Sequence, residues 1–202
     1  DRVAEIASAP STIDAVEQFK GSNPLLVAGS TWPGDEEVIA RAIENPALAD
    51  LKIIIAPHEV SSSRLRELQV IFPQSELLST FQTTGNSNAK ILLIDSIGLL
   101  SKLYRYATFA YVGGGFKQPG IHNTLEAAVY GVPVFFGPHH QRFLEALALL
   151  SQGGALALEE GNDPGKTLGI HFESLLSNKI KLAQMGAAAR EYVHTKQGAT
   201  VT

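Results

Sequence analysis

The chain has 202 residues, a formal net charge of -4, a hydrophobic fraction of 45% and no cysteine, values that fit one folded domain rather than a disordered tail. They exclude a disulfide framework and thiolate zinc sites, suit a reducing compartment, and leave no basic footprint for DNA or RNA, so nucleic acid is set aside as a partner. No apolar run approaches the roughly 18 to 20 residues that cross a bilayer, and Asp1-Arg2-Val3-Ala4-Glu5 has no signal-peptide pattern, so a soluble piece cut from something longer is expected.

In chain order, short runs rich in Val, Ile and Leu alternate with longer helix-period stretches, as in β-α units around a parallel sheet buried on both faces. Strands are expected at Leu25 to Gly29, Lys52 to Ala56, Glu76 to Ser79, Lys90 to Ile94, Phe109 to Gly113 and Pro133 to Phe136, with a possible seventh at Ala155 to Leu158. Helices are expected at Asp35 to Glu44, Ser62 to Phe72, Leu99 to Ala107, Thr124 to Tyr130, Arg142 to Ser151, Gly165 to Leu176 and Ile180 to His194, and the polar stretch Gln82 to Asn88 reads as a loop. The fold class that follows is α/β, a Rossmann-like doubly wound parallel sheet, whose ligands bind in the crevice beyond the carboxyl ends of the strands.

Three loops in that position carry candidate chemistry. In Gly113-Gly114-Gly115-Phe116-Lys117-Gln118-Pro119-Gly120-Ile121-His122-Asn123-x-x-Glu126, a strand ends in three glycines and a helix starts near Asn123, a good N-cap. Glycines allow close backbone approach, helix-start N–H groups favour an anion, and Lys117 adds a full charge. Glu126 suits either a capping box with Asn123 or vicinal hydroxyls of a ligand. The second loop, Gly29-Ser30-Thr31-Trp32 ahead of Asp35 to Glu37, offers two hydroxyls that could hold a phosphate or simply cap an acidic first turn; Trp32 fits a core or interdomain plug. The third, Asp95-Ser96-Ile97-Gly98, could present backbone groups to a base or phosphate. Six histidines do not form a metal motif: His139 and His140 are adjacent, and His58 and His122 lie in separate loops. A nucleophile elbow and a Walker A sequence are both missing.

Taken together, Val27-Ala28-Gly29-Ser30-Thr31-Trp32, Ile54-Ile55-Ala56-Pro57-His58-Glu59, Val112-Gly113-Gly114-Gly115-Phe116, Gly120-Ile121-His122-Asn123-x-x-Glu126 and Val134-Phe135-Phe136-Gly137-Pro138-His139 resemble the C-terminal domain of the Kdo (3-deoxy-D-manno-octulosonic acid) transferases. That resemblance covers nearly the whole chain and implies the C-terminal half of a GT-B glycosyltransferase that moves Kdo from CMP-Kdo onto a lipid A precursor in lipopolysaccharide synthesis. It implies that Asn123 and Glu126 hold the nucleotide, Glu126 accepting from ribose hydroxyls; that Ser30 lies in the hydroxyl-bearing loop at the domain cleft and Ile97 and Gly98 near the CMP; and that Gly114, Gly115 and the start of the Asn123 helix face its phosphate or the Kdo carboxylate, with Thr31, Lys117 and His122 also among the expected substrate-binding residues. Catalytic residues and metal sites are expected to be none here and no cofactor is implied. The general base, the acceptor domain and the membrane anchor belong to an N-terminal half, placing the intact protein at the cytoplasmic face of the bacterial inner membrane and leaving residues 1–202 inactive alone. Two departures stand out: Pro57-His58-Glu59 replaces the more frequent Pro-Arg-His-Pro, and the Lys117 loop resembles a Bacteroidetes-like variant. The rival expectations are another GT-B enzyme using a UDP-sugar, transferase or 2-epimerase, and a non-catalytic sugar-nucleotide domain.

Overall fold

The computed structural model describes residues 12–85, 88–161 and 163–197. Seven parallel strands form one sheet in the order β3-β4-β2-β1-β5-β6-β7, with β1 Leu25–Thr31, β2 Lys52–Pro57, β3 Ser75–Leu77, β4 Ile91–Leu93, β5 Phe109–Val112, β6 Val134–Phe136 and β7 Ala155–Ala157. Helices α1 Asp14–Lys20, α2 Pro33–Ala42, α3 Ser62–Ile71, α4 Leu78–Thr84, α5 Leu100–Leu103, α6 Leu125–Ala128, α7 Leu144–Ser151, α8 Pro164–Ser177 and α9 Lys179–Gln197 connect and cover the strands. The expected doubly wound α/β class is what forms.

The central strands read as continuous apolar runs because each face meets a helical layer. Leu25 and Val27 of β1 join one buried cluster with Ile54, Leu92, Ala110 and Phe136. Leu26 and Ala28, one residue out of phase, join the other with Ile53, Ile55, Phe109 and Phe135. In that second layer Phe172 of α8 stacks on Phe109 at 4.7 Å and meets Phe135 edge-on at 5.0 Å. Gly165 and Gly169 let α8 press against α2; a Cβ at Gly169 would sit 2.8 Å from the Ala42 carbonyl oxygen.

Several expected boundaries move. The expected strand Glu76 to Ser79 is Ser75–Leu77, and Leu78 opens α4, which runs into the stretch expected to be a loop. Its reason is local: Leu78 and Phe81, three residues apart, are both buried, Phe81 meets Phe19 of α1 edge-on at 5.9 Å, and Gly85 ends the helix in a left-handed conformation. Residues 86–87 of the expected loop lie outside the described residues. The expected helix Thr124 to Tyr130 narrows to Leu125–Ala128, continued by turn bonds as far as Gly131, and Leu99 to Ala107 divides into α5 and a 3-10 turn, Tyr104–Tyr106. Among the described residues no helix is long and apolar enough to cross a membrane.

The chain builds β1, β2, β3 and β4 on one side, then returns across β1 to place β5, β6 and β7 on the other. Loops after β1 and β5 therefore leave the sheet in opposite directions, and the crevice between them is the topological switch point.

Candidate functional site

At the end of β1 the backbone bulges: pairing with β2 skips between Gly29 and Thr31, and Ser30 takes a left-handed φ of 53°. Thr31 then points inward, 1% exposed, and its hydroxyl donates to Glu36 Oε1 over 2.9 Å. Asp35 and Glu36 in the first turn of α2 are both fully buried. Asp35 Oδ2 accepts from the Trp32 N–H (3.0 Å) and the Gly114 N–H (2.8 Å), while Oδ1 accepts from the Tyr111 hydroxyl at 2.9 Å. Arg64 of α3 pairs with Glu36 Oε2 and, at 2.8 Å, with Glu67. Burial raises the proton affinity of both carboxyl groups, and their hydrogen-bond donors oppose it: Gly114, Trp32 and Tyr111 for Asp35, Arg64 and Thr31 for Glu36. The acidic first turn expected to complement a helix dipole is instead a buried clamp that ties the loop after β1 to the loop after β5.

The glycines of the β5 loop are used for close packing. A Cβ at Gly113 would lie 2.3 Å from the Ser30 carbonyl oxygen, one at Gly114 (φ 94°) 2.4 Å from that of Gly120, and one at Gly115 2.4 Å from the Gly137 nitrogen. The loop is also laced to its neighbours through His122 N–H to Gly113 (3.0 Å), His139 N–H to Gly115 (2.9 Å) and Ile121 N–H to His139 (3.2 Å). The Gly114 amide, a candidate for a ligand oxygen, is engaged by Asp35.

Four side chains meet above this packed floor. His58 stacks on Trp32 at 4.5 Å and on His122 at 4.6 Å, each at 25°. Trp32 Nε1 donates to His122 Nε2 over 3.3 Å, and Lys117 Nζ lies 3.1 Å over the Trp32 ring. Desolvation, then His58 and Lys117, lower the proton affinity of His122, which leaves Nε2 free to accept. Separate loops in the sequence therefore converge on one cluster. Alternation of strands and helices placed all three loops at the same edge, but only the tertiary structure sets His58 against His122.

Further along, Asn123 Oδ1 accepts from the Leu125 N–H at 3.0 Å, and Asn123 Nδ2 donates to Glu126 Oε1 at 3.2 Å. Asn123 thus caps α6 while Glu126 takes its side-chain amide rather than its backbone N–H, so the expected alternative of a capping box gives way to a coupled pair. Glu126 is half-buried and Asn123 exposed. With one turn of helix, the macrodipole at Asn123 is small, and any anion there must be held by specific donors. Asp95 holds the loop after β4 by accepting from the Ser79 N–H at 3.2 Å and pairing with the Ser79 hydroxyl; beyond it Ile97 is 90% exposed and Gly98 has a φ of 88°. The carboxyl edge also holds a cavity of about 500 Å³ between Pro138–Gln141 and Ala157–Glu160, where His139 Nε2 and Glu160 Oε1 are 3.2 Å apart.

This sheet, with its loop cluster at the carboxyl edge of β1, β2, β4, β5 and β6, has the fold of the C-terminal domains of GT-B glycosyltransferases. The C-terminal CMP-Kdo binding domain of WaaA from Acinetobacter baumannii superposes with a TM-score of 0.72 at 22% identity, covering 95% of this chain and 97% of that one. Anabaena Alr3699/HepE in complex with UDP-glucose gives 0.63 at 13% identity over 94% of this chain and 50% of its own. By sequence, the chain belongs to the 3-deoxy-D-manno-octulosonic acid transferase family. It is 31% identical over 141 residues to the Aquifex aeolicus transferase and 34% identical over 151 residues to that of Chlamydophila psittaci, covering 68% and 72% of this chain. The Haemophilus influenzae transferase is 27% identical over 187 residues, 90% of this chain. The matched region spans 38%, 34% and 43% of those three relatives. No family model matches the chain.

Proposed function

We propose that this chain is the donor-binding domain of a Kdo transferase, holding CMP-Kdo while an N-terminal domain presents a lipid A precursor and supplies the general base. The observation that carries the reading is the Asn123–Glu126 pair at the carboxyl edge of the sheet, within a chain of that family. A carboxylate fixed by a neighbouring amide on one oxygen is suited to accept hydroxyl hydrogens of a ribose with the other. Ser30, Ile97 and Gly98 border the same edge and are the groups proposed to line the nucleotide. Transfer breaks the bond between the sugar and the CMP phosphate, so the useful contribution of this half is stabilising the departing anion, and the base belongs to the other half. In the intact protein the acceptor would be met at the cytoplasmic face of the inner membrane, with membrane contact made outside residues 1–202.

Calorimetric titration tests this reading. CMP is expected to bind in preference to UMP, and Glu126→Ala is expected to weaken CMP by about 1–3 kcal/mol through loss of hydrogen bonds to a charged carboxylate. A preference for UMP would move the assignment to a UDP-sugar enzyme.

A further inference from the structure

At the amino edge of the sheet, the end away from the proposed donor groups, the core is left with a recess of about 220 Å³. Its walls are apolar: Ile43 at the end of α2, Leu51, Ile53 of β2, Phe72 and Ile91 of β4, all but Ile43 at most 3% exposed. Ala40 of α2 lines it too, with a side chain too short to close it. Such walls give water few hydrogen-bond partners, and side chains that face a gap forfeit dispersion contacts. The mouth has the opposite character. Gln74 and Lys90 line it, and both are exposed. Their backbones are fixed, the Lys90 N–H donating to the Gln74 carbonyl at 3.3 Å and the Ile53 N–H to the Lys90 carbonyl at 3.0 Å. Beside Lys90, Lys52 sits over the Phe19 ring at 4.9 Å and donates to the Ala89 carbonyl at 2.7 Å; desolvation, then the charge of Lys90, lower its proton affinity. Among the described residues no carboxylate lies within 4 Å of either ammonium. Two like charges without an acid between them are relieved by an anion placed at the mouth.

We propose that this recess is a second binding site, for a single aliphatic chain that ends in a carboxylate. The methylenes take the place of the missing core contacts, and the carboxylate meets the Lys90 ammonium and the Gln74 side-chain amide. The volume lies below the ~300–1,000 Å³ of pockets for drug-sized ligands, which suits one short chain taken up singly from solution. An apolar lining with a few convergent polar groups at its opening is the usual make-up of a small-molecule site. The inference does not depend on the donor reading, because the two sites lie at opposite ends of the strands.

The test titrates the whole ¹⁵N-labelled chain with butanoate, hexanoate and octanoate, and with octanol as the uncharged probe, each at the same ionic strength set with chloride. Amide shifts at Ile53, Gln74 and Ile91 are expected to saturate with octanoate, and affinity to rise about four-fold per methylene along the series. Lys90→Met is expected to weaken octanoate about three-fold or more and to leave octanol unchanged, because only the charged head meets the ammonium. Ala40→Leu, which fills the recess from α2, is expected to weaken octanoate and octanol alike, by about ten-fold. Lys90 is exposed and Ala40 half-buried, so both variants should keep the native circular dichroism spectrum. Three results would each overturn the site: no saturable shift at the three amides, equal affinity for butanoate and octanoate, or octanoate binding that either substitution leaves unchanged.

Discussion

Asp35 concentrates the connection between sequence and site in a single carboxylate. Three donors from the loop after β1, strand β5 and the loop after β5 converge on it, so its removal leaves the Trp32 and Gly114 N–H groups and the Tyr111 hydroxyl without a partner. Asp35→Ala should cost about 3–5 kcal/mol in urea-induced unfolding, and Asp35→Asn clearly less, since its amide oxygen can still accept the two N–H groups; a cost below about 1 kcal/mol in the alanine variant would contradict the clamp. Arg64→Ala should cost a similar order, about 3 kcal/mol, because it strands the fully buried Glu36 charge with only Thr31 beside it. His122 sets a pH dependence. Its folded proton affinity is lowered, so the stability it contributes is present above the ordinary histidine value near 6.5 and is lost as pH falls through the folded value, where the unfolded chain takes up the proton first. The native melting temperature should therefore fall more between pH 7.5 and pH 5 than that of His122→Asn; parallel falls in the two proteins would refute this assignment. At this scale the sequence shows candidates but not their surroundings. An acidic pair after a proline and a glycine looks the same whether solvated or buried, and the Tyr111 that buries Asp35 lies 76 residues away.

Among the elements, the central strands are legible because a parallel strand covered on both faces must be apolar at every position, and residues 53–57 of β2 and Phe109–Val112 are. Short helices are not legible in the same way. Helix α4 has seven residues, polar apart from Leu78 and Phe81, and owes its stability to the packing of Phe81 on Phe19 rather than to propensity; α1, unmarked in the sequence reading, is the other side of that contact. The triple glycine was recognised as a place of close approach, yet what approaches it is largely the protein's own backbone. Gly113→Ala tests this: a Cβ placed 2.3 Å from the Ser30 carbonyl oxygen must push β5 and the loop after β1 apart. The expected cost is about 2–4 kcal/mol in urea-induced unfolding, accompanied by weaker CMP binding, since the clustered Trp32 and His122 flank the same contact. Unchanged stability would mean that the two loops are free to separate, and the cluster above them would lose its rigid floor.

Over the whole molecule, the order of strands decides where ligands meet the protein. The crossover from β4 back to β5 puts the loops carrying Ser30, Ile97, Lys117 and Asn123 at one edge of the sheet, and the family relationship supplies the chemistry proposed for that edge. The opposite, amino edge has its own cavity, of about 220 Å³, with Ile53, Phe72, Gln74, Lys90 and Ile91 among its lining. Strand topology therefore favours one of two ends as the donor site, and experiment can tell them apart. The most direct check follows amide chemical shifts of the ¹⁵N-labelled chain during titration with CMP. Ser30, Gly98, Asn123 and Glu126 are expected to move together and saturate at one common affinity, with Gln74 and Lys90 unmoved; shifts centred on Gln74 and Lys90, or a uniformly silent carboxyl edge at saturating CMP, would overturn the donor-site assignment.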